Sequence, residues 1–364
     1  MERFFILYPE VYIKIIESKT LLLNTSTKEY CVFLNEEFSN IHSLSSNRYL
    51  PERLLPTFNN VLKPFGYLLE ARIPPIVFAP DCKILSSLQK YNEATGANDG
   101  KDILKYINKL RFFFPLSSIS KEALEVLGYP YYRNNSAPNF VDTYKWFVAN
   151  FPIQNTTTIE VVGTFGAEMF SFIDFLSQYH IDCYIKCFIN SQSDLETFYE
   201  LYYRNNENLC AIVFLNNCSR THLKDLDNVI YIDLTESSIV ADENTHLSPD
   251  DILNNSGSID SITKNSIINS NAFGVIDICP DEILRCNYQV IGEVNDFDHA
   301  LYKWINSPDC IWRQTRSTKG KCRGCLLQDV CPPITIAECS DNETLNCDNQ
   351  VSAKFTTALN LNVF

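Results

Sequence analysis

Short blocks of apolar residues separated by polar turns organise the first 70 positions. The stretches E-V-Y-I-K-I-I (10–16), T-L-L-L-N (20–24) and E-Y-C-V-F-L (29–34) are rich in aliphatic, β-branched and aromatic residues. The turns E-S-K and T-S-T-K divide them, so the pattern predicts three strands. Helical spacing follows at 35–46 and 51–69. In the second stretch Leu54, Leu55, Phe58, Val61, Leu62 and Phe65 recur on one face. Pro51 suits a first helical turn, and Pro64 is placed to kink or end the helix.

The paired prolines of I-P-P-I-V-F-A-P (73–80) exclude helix and predict an extended linker, and 92–101 is a Gly/Asn/Asp loop. Strand and helix signals then alternate. Strands are expected at 109–114, 158–163, 182–189, 209–215, 228–234 and 273–278, with helices at 142–150, 167–179 and 193–205. Ser193, with Glu196 three residues on, has the spacing of a capping box. Such alternation implies βαβ units and a parallel sheet, and six units make a partial TIM-like (β/α)6 barrel. Asp233 and Asp277 end or interrupt predicted strands, where barrel active sites draw residues, but both are read here as structural. The acidic stretch around Asp250, Asp251 and Asp260 lies in Asn/Ser-rich sequence and reads as a solvated loop.

With 364 residues the chain has room for two or three domains with sizeable cores. The longest apolar runs, such as Ile159–Val162 and Ile212–Leu215, are of strand length, so no membrane span is expected. The opening M-E-R-F-F-I-L-Y-P-E lacks the layout of a signal peptide, which predicts a cytoplasmic protein in which disulfides are disfavoured. A net charge of −14 argues against a nucleic-acid surface. The histidines at 42, 180, 222, 246 and 299 have no ligand spacing, and no G-x-S-x-G, H-E-x-x-H or phosphate-loop motif occurs.

Cysteine changes this picture. Six of the 14 cysteines fall between Cys310 and Cys347, among Gly, Pro and charged residues. The centre is Cys322-x2-Cys325-x5-Cys331, followed by Cys339 and Cys347. A C-x2-C turn points two sulfurs the same way, and further sulfurs complete a four-coordinate shell for iron–sulfur or zinc. Lys319, Lys321 and Arg323 favour the thiolate that binds metal. Cys31, Cys183, Cys187 and Cys210 sit instead inside apolar runs and read as buried thiols.

The C-terminal segment resembles the SPASM extension of radical SAM peptide maturases, and V-I-D-I-C-P-D-E-I-L-R-C-N-Y-Q-V-I-G-E-V (275–294) resembles the strand–turn–strand before it. W-R-Q-T-R followed by C-x2-C-L-x-Q-x-x-C-P-P is similar to pseudo-radical-SAM proteins that accompany double-glycine-leader peptide (RiPP) maturases. The resemblance implies that Cys322, Cys325, Cys331 and Cys347 hold one auxiliary [4Fe-4S] cluster, with Cys339 or Cys310 as substitutes. Thr335 stands where the second auxiliary cluster has a ligand, so that cluster is expected to be missing. Zinc uses the same thiolates and stays open at this point. The three strands and following helices resemble a winged-helix-like RiPP recognition element of the PqqD type. That implies a leader peptide added as a strand along Glu29, Tyr30, Cys31, Val32 and Phe33, with the helix after Pro51 as the other wall.

The radical SAM signature C-x3-C-x2-C is missing after the first barrel strand, where the chain reads P-L-S-S-I-S-K-E-A-L-E-V-L-G-Y. Cys183-x3-Cys187 has Asn190 where a third cysteine belongs, and G-T-F-G-A-E (163–168) is only a glycine pair. No S-adenosylmethionine cluster is therefore expected. The resemblance implies an α/β protein with a recognition module (1–75), a degenerate partial barrel (76–272) and a SPASM-like domain (273–364). Its implied role is that of a non-catalytic accessory which binds a precursor leader and presents it to a catalytic radical SAM partner. The alternatives are a subunit of an active heteromeric maturase with an electron-relay cluster, and a zinc-ribbon interaction protein.

Overall fold

The computed structural model describes residues 1–55, 59–75, 104, 106–116, 136–153, 157–204, 210–215, 226–234, 249–320, 322–334 and 338. The three N-terminal apolar blocks are strands β2 (Val11–Ile15), β3 (Lys19–Asn24) and β4 (Tyr30–Leu34), paired antiparallel in the order β2-β3-β4. The run L-L-L in β3 is apolar without alternation because both faces of this sheet are covered. Leu22 and Phe33 face Phe38, Ile41 and Leu44, whereas Leu21, Leu23 and Val32 face Ile252, Leu253, Ile262, Leu326, Leu327 and Val330. Each fully buried leucine contributes about 2 kcal/mol of hydrophobic stabilisation.

A second small sheet was not expected. β1 (Glu2–Leu7) pairs antiparallel with β5 (Tyr49–Pro51) on one side and β6 (Gly66–Ala71) on the other. The helix predicted for 51–69 is therefore replaced by β5, tight 3-10 turns at Glu52–Leu54 and Asn59–Phe65, and β6. Pro64 cannot donate the hydrogen bond a longer helix needs. Gly66 then brings β6 so close to the Ile6 carbonyl and the Phe5 ring that no Cβ fits. Of the stretch 35–46, a 3-10 turn at Asn35–Glu37 and helix α1 (Ile41–Asn47) form.

The rest of the chain is built on an eight-stranded sheet, ordered β11-β10-β9-β8-β7-β12-β13-β14. β7 (Lys109–Phe113), β8 (Thr158–Thr164), β9 (Cys183–Ile189), β10 (Cys210–Leu215), β11 (Val229–Asp233) and β12 (Val275–Ile278) are parallel. β13 (Ile283–Cys286) and β14 (Gln289–Glu293) add an antiparallel hairpin. The sixth parallel strand lies beside the first, which is the cyclic order of a barrel opened between β11 and β12. Helices α2 (Phe140–Asn150), α3 (Ala167–Gln178) and α4 (Gln192–Arg204) share one core with a single face of the sheet. Phe112, Phe114, Phe147 and Phe172 pack there around Tyr144 in edge-to-face and tilted pairs, and the Tyr144 hydroxyl donates to the carbonyls closing β7 and β12.

Two local expectations are corrected. Ser191 rather than Ser193 caps α4, accepting from the Asp194 N–H at 3.1 Å and donating to its carboxylate at 2.6 Å. The acidic stretch is not a loop. Asp250 and Asp251 open helix α5 (Pro249–Asn254), and Asp260 lies in the first turn of α6 (Ile259–Ile267), which Ser258 caps. Carboxylates suit helix N-termini, and the buried Ile252, Leu253 and Ile262 give these short helices the tertiary contacts they need. Helix α7 (Phe297–Ile305) follows β14. Among the described residues no helix is long and apolar enough to cross a membrane.

The sheet face opposite α2–α4 carries charge. Asp277 of β12 is fully buried and takes a bidentate bond from Arg111 of β7, Nε to Oδ1 at 2.6 Å and Nη2 to Oδ2 at 3.0 Å. Asn287 joins through its backbone N–H and its side-chain oxygen. Asp277→Asn leaves Arg111 buried beside a neutral partner and is expected to cost about 3–5 kcal/mol in urea unfolding. A loss below about 1 kcal/mol contradicts this account of the pair.

Candidate functional site: the cysteine-rich turn and the sheet on top of it

After α7 the chain turns through Cys310 and Trp312, both buried, with Trp312 against Trp304 at 5.4 Å. The W-R-Q-T-R motif then has a mechanical role that its sequence does not announce. Arg316 Nε donates to the Pro332 carbonyl at 2.8 Å, and its two terminal nitrogens grip the Glu338 carboxylate at 2.6 and 3.1 Å. This fork ties the segment before the cysteines to the segment after them. Between the two lies the turn from Cys322 to Cys331. Gly324 has φ +80, a left-handed position that the C-x2-C turn assigns to its glycine.

Cys322, Cys325 and Cys331 are half-buried. The Cys325 N–H donates to the Cys322 carbonyl at 3.0 Å, and the Cys331 N–H to the Leu327 carbonyl at 2.7 Å. Burial pushes the Cys325 thiol up, while the nearby backbone N–H groups of Leu327 and Gln328 act in the opposite sense. Arg316 is buried and gripped from both sides of the turn, so it, rather than the exposed Arg323, is the cation built into the turn. Soft cysteine sulfurs on a C-x2-C turn fit zinc or an iron–sulfur cluster in donor chemistry. Among the described residues, no three His, Cys, Asp or Glu side chains form a group that could hold a metal. Cys339 and Cys347 lie outside the described residues. Cys310 lies in the main core with Cys286, and its thiol is pushed up to about 11 by burial, so it is not brought to the other three.

The residues between the cysteines carry the N-terminal sheet. Leu326, Leu327 and Val330 pack on Leu21, Leu23 and Val32. Asp329, next to Val330, receives the Tyr12 hydroxyl and the Lys14 ammonium, both at 2.7 Å. Tyr30 donates to Asp250 of α5 at 2.8 Å. Sequence reading missed Asp329 and Arg316 as anchors, because each is matched to a partner 22 to 317 positions away.

The predicted peptide-binding residues Glu29, Tyr30, Cys31, Val32 and Phe33 lie on or beside β4, which among the described residues pairs only with β3. Glu29 and Tyr30 are exposed, but Val32 is only 5% exposed and Phe33 is buried. In place of the expected helix after Pro51, the 35–47 region covers one face through Phe38 and α5 covers the other. β6 contrasts with this, since Tyr67, Leu68 and Leu69 are 46%, 40% and 40% exposed.

Gly163, Cys183, Cys187 and Asp277 have structural roles. A Cβ on Gly163 would lie 2.5 Å from that of Phe114, so close packing requires this glycine. Cys183 and Cys187 are buried in the core against the helices, and burial raises both thiols, Cys183 to about 12. Asp277 is held by Arg111 as described. Asp233 ends β11.

No protein-family profile matches the chain, and no curated protein sequence matches it. Among solved structures, BtrN in an open conformation aligns with 13% identity over 60% of this chain and 92% of its own, with a TM-score of 0.32. Streptococcus suis SuiB bound to the precursor peptide SuiA aligns with 10% identity over 93% of this chain and 97% of its own, also with a TM-score of 0.32. Likenesses of this size assign no family.

The Asp329 anchor gives a pH prediction. Burial acts to raise its pKa, but hydrogen bonds from Lys14, Tyr12 and Gln328 outweigh it and hold the carboxyl below its usual 3.8. A depressed folded-state pKa stabilises the protein above the unfolded value and loses that contribution as pH falls through the folded one. Asp329→Asn should therefore cost about 2 kcal/mol at pH 7 in denaturant unfolding, and the difference should shrink below pH 4. A difference that stays constant into acid contradicts the assignment.

Proposed function

We propose that this chain is a non-catalytic, cytoplasmic accessory protein of ribosomal peptide maturation. It holds a precursor leader as an added strand on its N-terminal region and presents the core peptide to a catalytic radical SAM partner. The observation that carries this reading is the seating of a small, strand-edged N-terminal sheet directly on the cysteine-rich turn. A strand added to such an edge gains main-chain hydrogen bonds, and the neighbouring side chains select what is added. The resemblance points to β4 as that edge.

In this reading 1–75 is the recognition module, 76–272 the degenerate barrel and 273–364 the SPASM-like domain. Cys322, Cys325 and Cys331, with Cys347, hold one [4Fe-4S] cluster or a zinc ion. The bound metal cross-links the turn and so braces the platform under Leu21, Leu23 and Val32. The Arg111–Asp277 pair, buried on the sheet face opposite the helices, supports a scaffold role for the barrel rather than catalysis.

Fluorescence anisotropy with a labelled leader half of a double-glycine precursor tests the reading on the full chain. The leader should bind, and the same peptide N-methylated at alternate backbone positions should bind at least about tenfold more weakly, a loss of about 1.4 kcal/mol. Equal binding of both peptides, or of neither, overturns strand addition. Anaerobically purified protein should carry about four iron and four sulfide, or about one zinc, and Cys325→Ser should lower that content. Unchanged metal in the variant removes Cys325 from the ligand set.

A further inference from the structure

We infer that the edge which takes the extended peptide is β6, and that it selects an apolar strand carrying one basic residue. This rests on the strand-addition reading above and names its surface and its ligand chemistry. The pairing of β1 with β6 fixes which backbone groups are available. Tyr8 N–H donates to the Phe65 carbonyl, so the alternation of an antiparallel ladder turns the N–H and C=O of Tyr67 and Leu69 toward β1. Leu68 and Glu70 turn theirs away from β1, and β1 is the only strand paired with β6 among the described residues.

The side chains on this edge are open as well. Tyr67, Leu68, Leu69 and Glu70 are all exposed, with Val61 and Ile73 exposed near the two ends. Four consecutive exposed residues, three of them large and apolar, leave this edge without a covering strand or helix among the described residues. Proteins normally blunt such edges with charge, proline or a covering element. β4 differs, because its centre is buried between two cores.

The pattern defines the occupant. On one face Tyr67 and Leu69 stand together, with the Tyr8 ring 5.7 Å from Tyr67, so the added strand needs apolar residues beside them. On the other face Leu68 stands beside Glu70. Arg3, opposite Glu70 on β1, is drawn to Glu52 at 3.2 Å. A lysine or arginine opposite Glu70 supplies the missing complement. A second copy of this chain fits badly. Placing Glu70 opposite Arg72 of an antiparallel copy puts Leu68 opposite Pro74, which has no N–H for the ladder. Centring the pair on Leu69 keeps the ladder but sets Glu70 opposite a leucine. Two chains of net charge −14 also repel. The occupant is therefore a separate peptide, the precursor leader of the preceding section.

The test uses the full chain and a labelled synthetic probe, Thr-Lys-Val-Leu-Val-Thr-Thr, beside the leader itself. Leu68→Lys places a charge on the exposed edge, and Leu68→Pro removes an N–H that faces away from β1 while sparing the β1 ladder, so either variant serves if the other fails to fold. Both peptides should bind at least about tenfold more weakly to either variant, and changing the probe lysine to glutamate should weaken binding to the parent chain. Leader binding that survives both variants and is lost on Tyr30→Lys overturns the assignment to β6 while leaving strand addition intact. Equal affinity of lysine and glutamate probes overturns the charge selection. A leader that binds none of the folded proteins overturns the reading on which the inference rests.

Discussion

The rest of this structure depends on one seam between the two ends of the chain. Leu21, Leu23 and Val32 meet Leu326, Leu327 and Val330, and Asp329 is pinned there by Tyr12 and Lys14. Apolar burial holds the surfaces together without direction, whereas the two bonds to Asp329 set their register. Because the leucines lie between Cys325 and Cys331, anything that tightens the turn tightens the bed of the N-terminal sheet. The β2–β4 sheet and the cysteine-rich turn thus form one mechanical unit.

The parallel sheet supplies the distance and rigidity that make the seam possible. Its last parallel strand returns beside its first, and the β13–β14 hairpin and α7 carry the chain onward from there. Tyr144 locks the ends of β7 and β12, and the Arg111–Asp277 pair locks their middles. Arg316 then clamps the two sides of the cysteine-rich turn through Pro332 and Glu338. Each device is a buried charge or hydroxyl fully engaged by fixed partners, as a scaffold requires.

Much of this was legible in the sequence. Strands β2 to β4 and the alternating units from β7 to β12 stand within a residue or two of their expected places, because their apolar runs are of strand length and bounded by turn residues. The helix expected after Pro51 failed because Leu62 and Phe65 fit helical spacing as well as they fit a 3-10 turn. Only the approach of Gly66 to Ile6, a tertiary contact, decides between them. α5 and α6 were missed because S-P-D-D-I-L-N is too short to show a period, and its apolar residues are read only against β3 and β4. Of the candidate site, the C-x2-C turn was plain from spacing. The anchors Asp329 and Arg316 were not, since local sequence carries no sign of partners so distant. The openness of β6 is likewise invisible in Y-L-L-E, most of which falls within the helix expected at 51–69.

Hydrogen exchange read by mass spectrometry on the full chain, with and without a precursor leader, tests the central claim most directly. A peptide paired along the open edge of the N-terminal region covers the outward N–H groups of Leu68 and Glu70, so exchange over residues 66–71 should slow when the leader is added. Slowing confined to 29–34, or no slowing anywhere in the first 75 residues, contradicts that account.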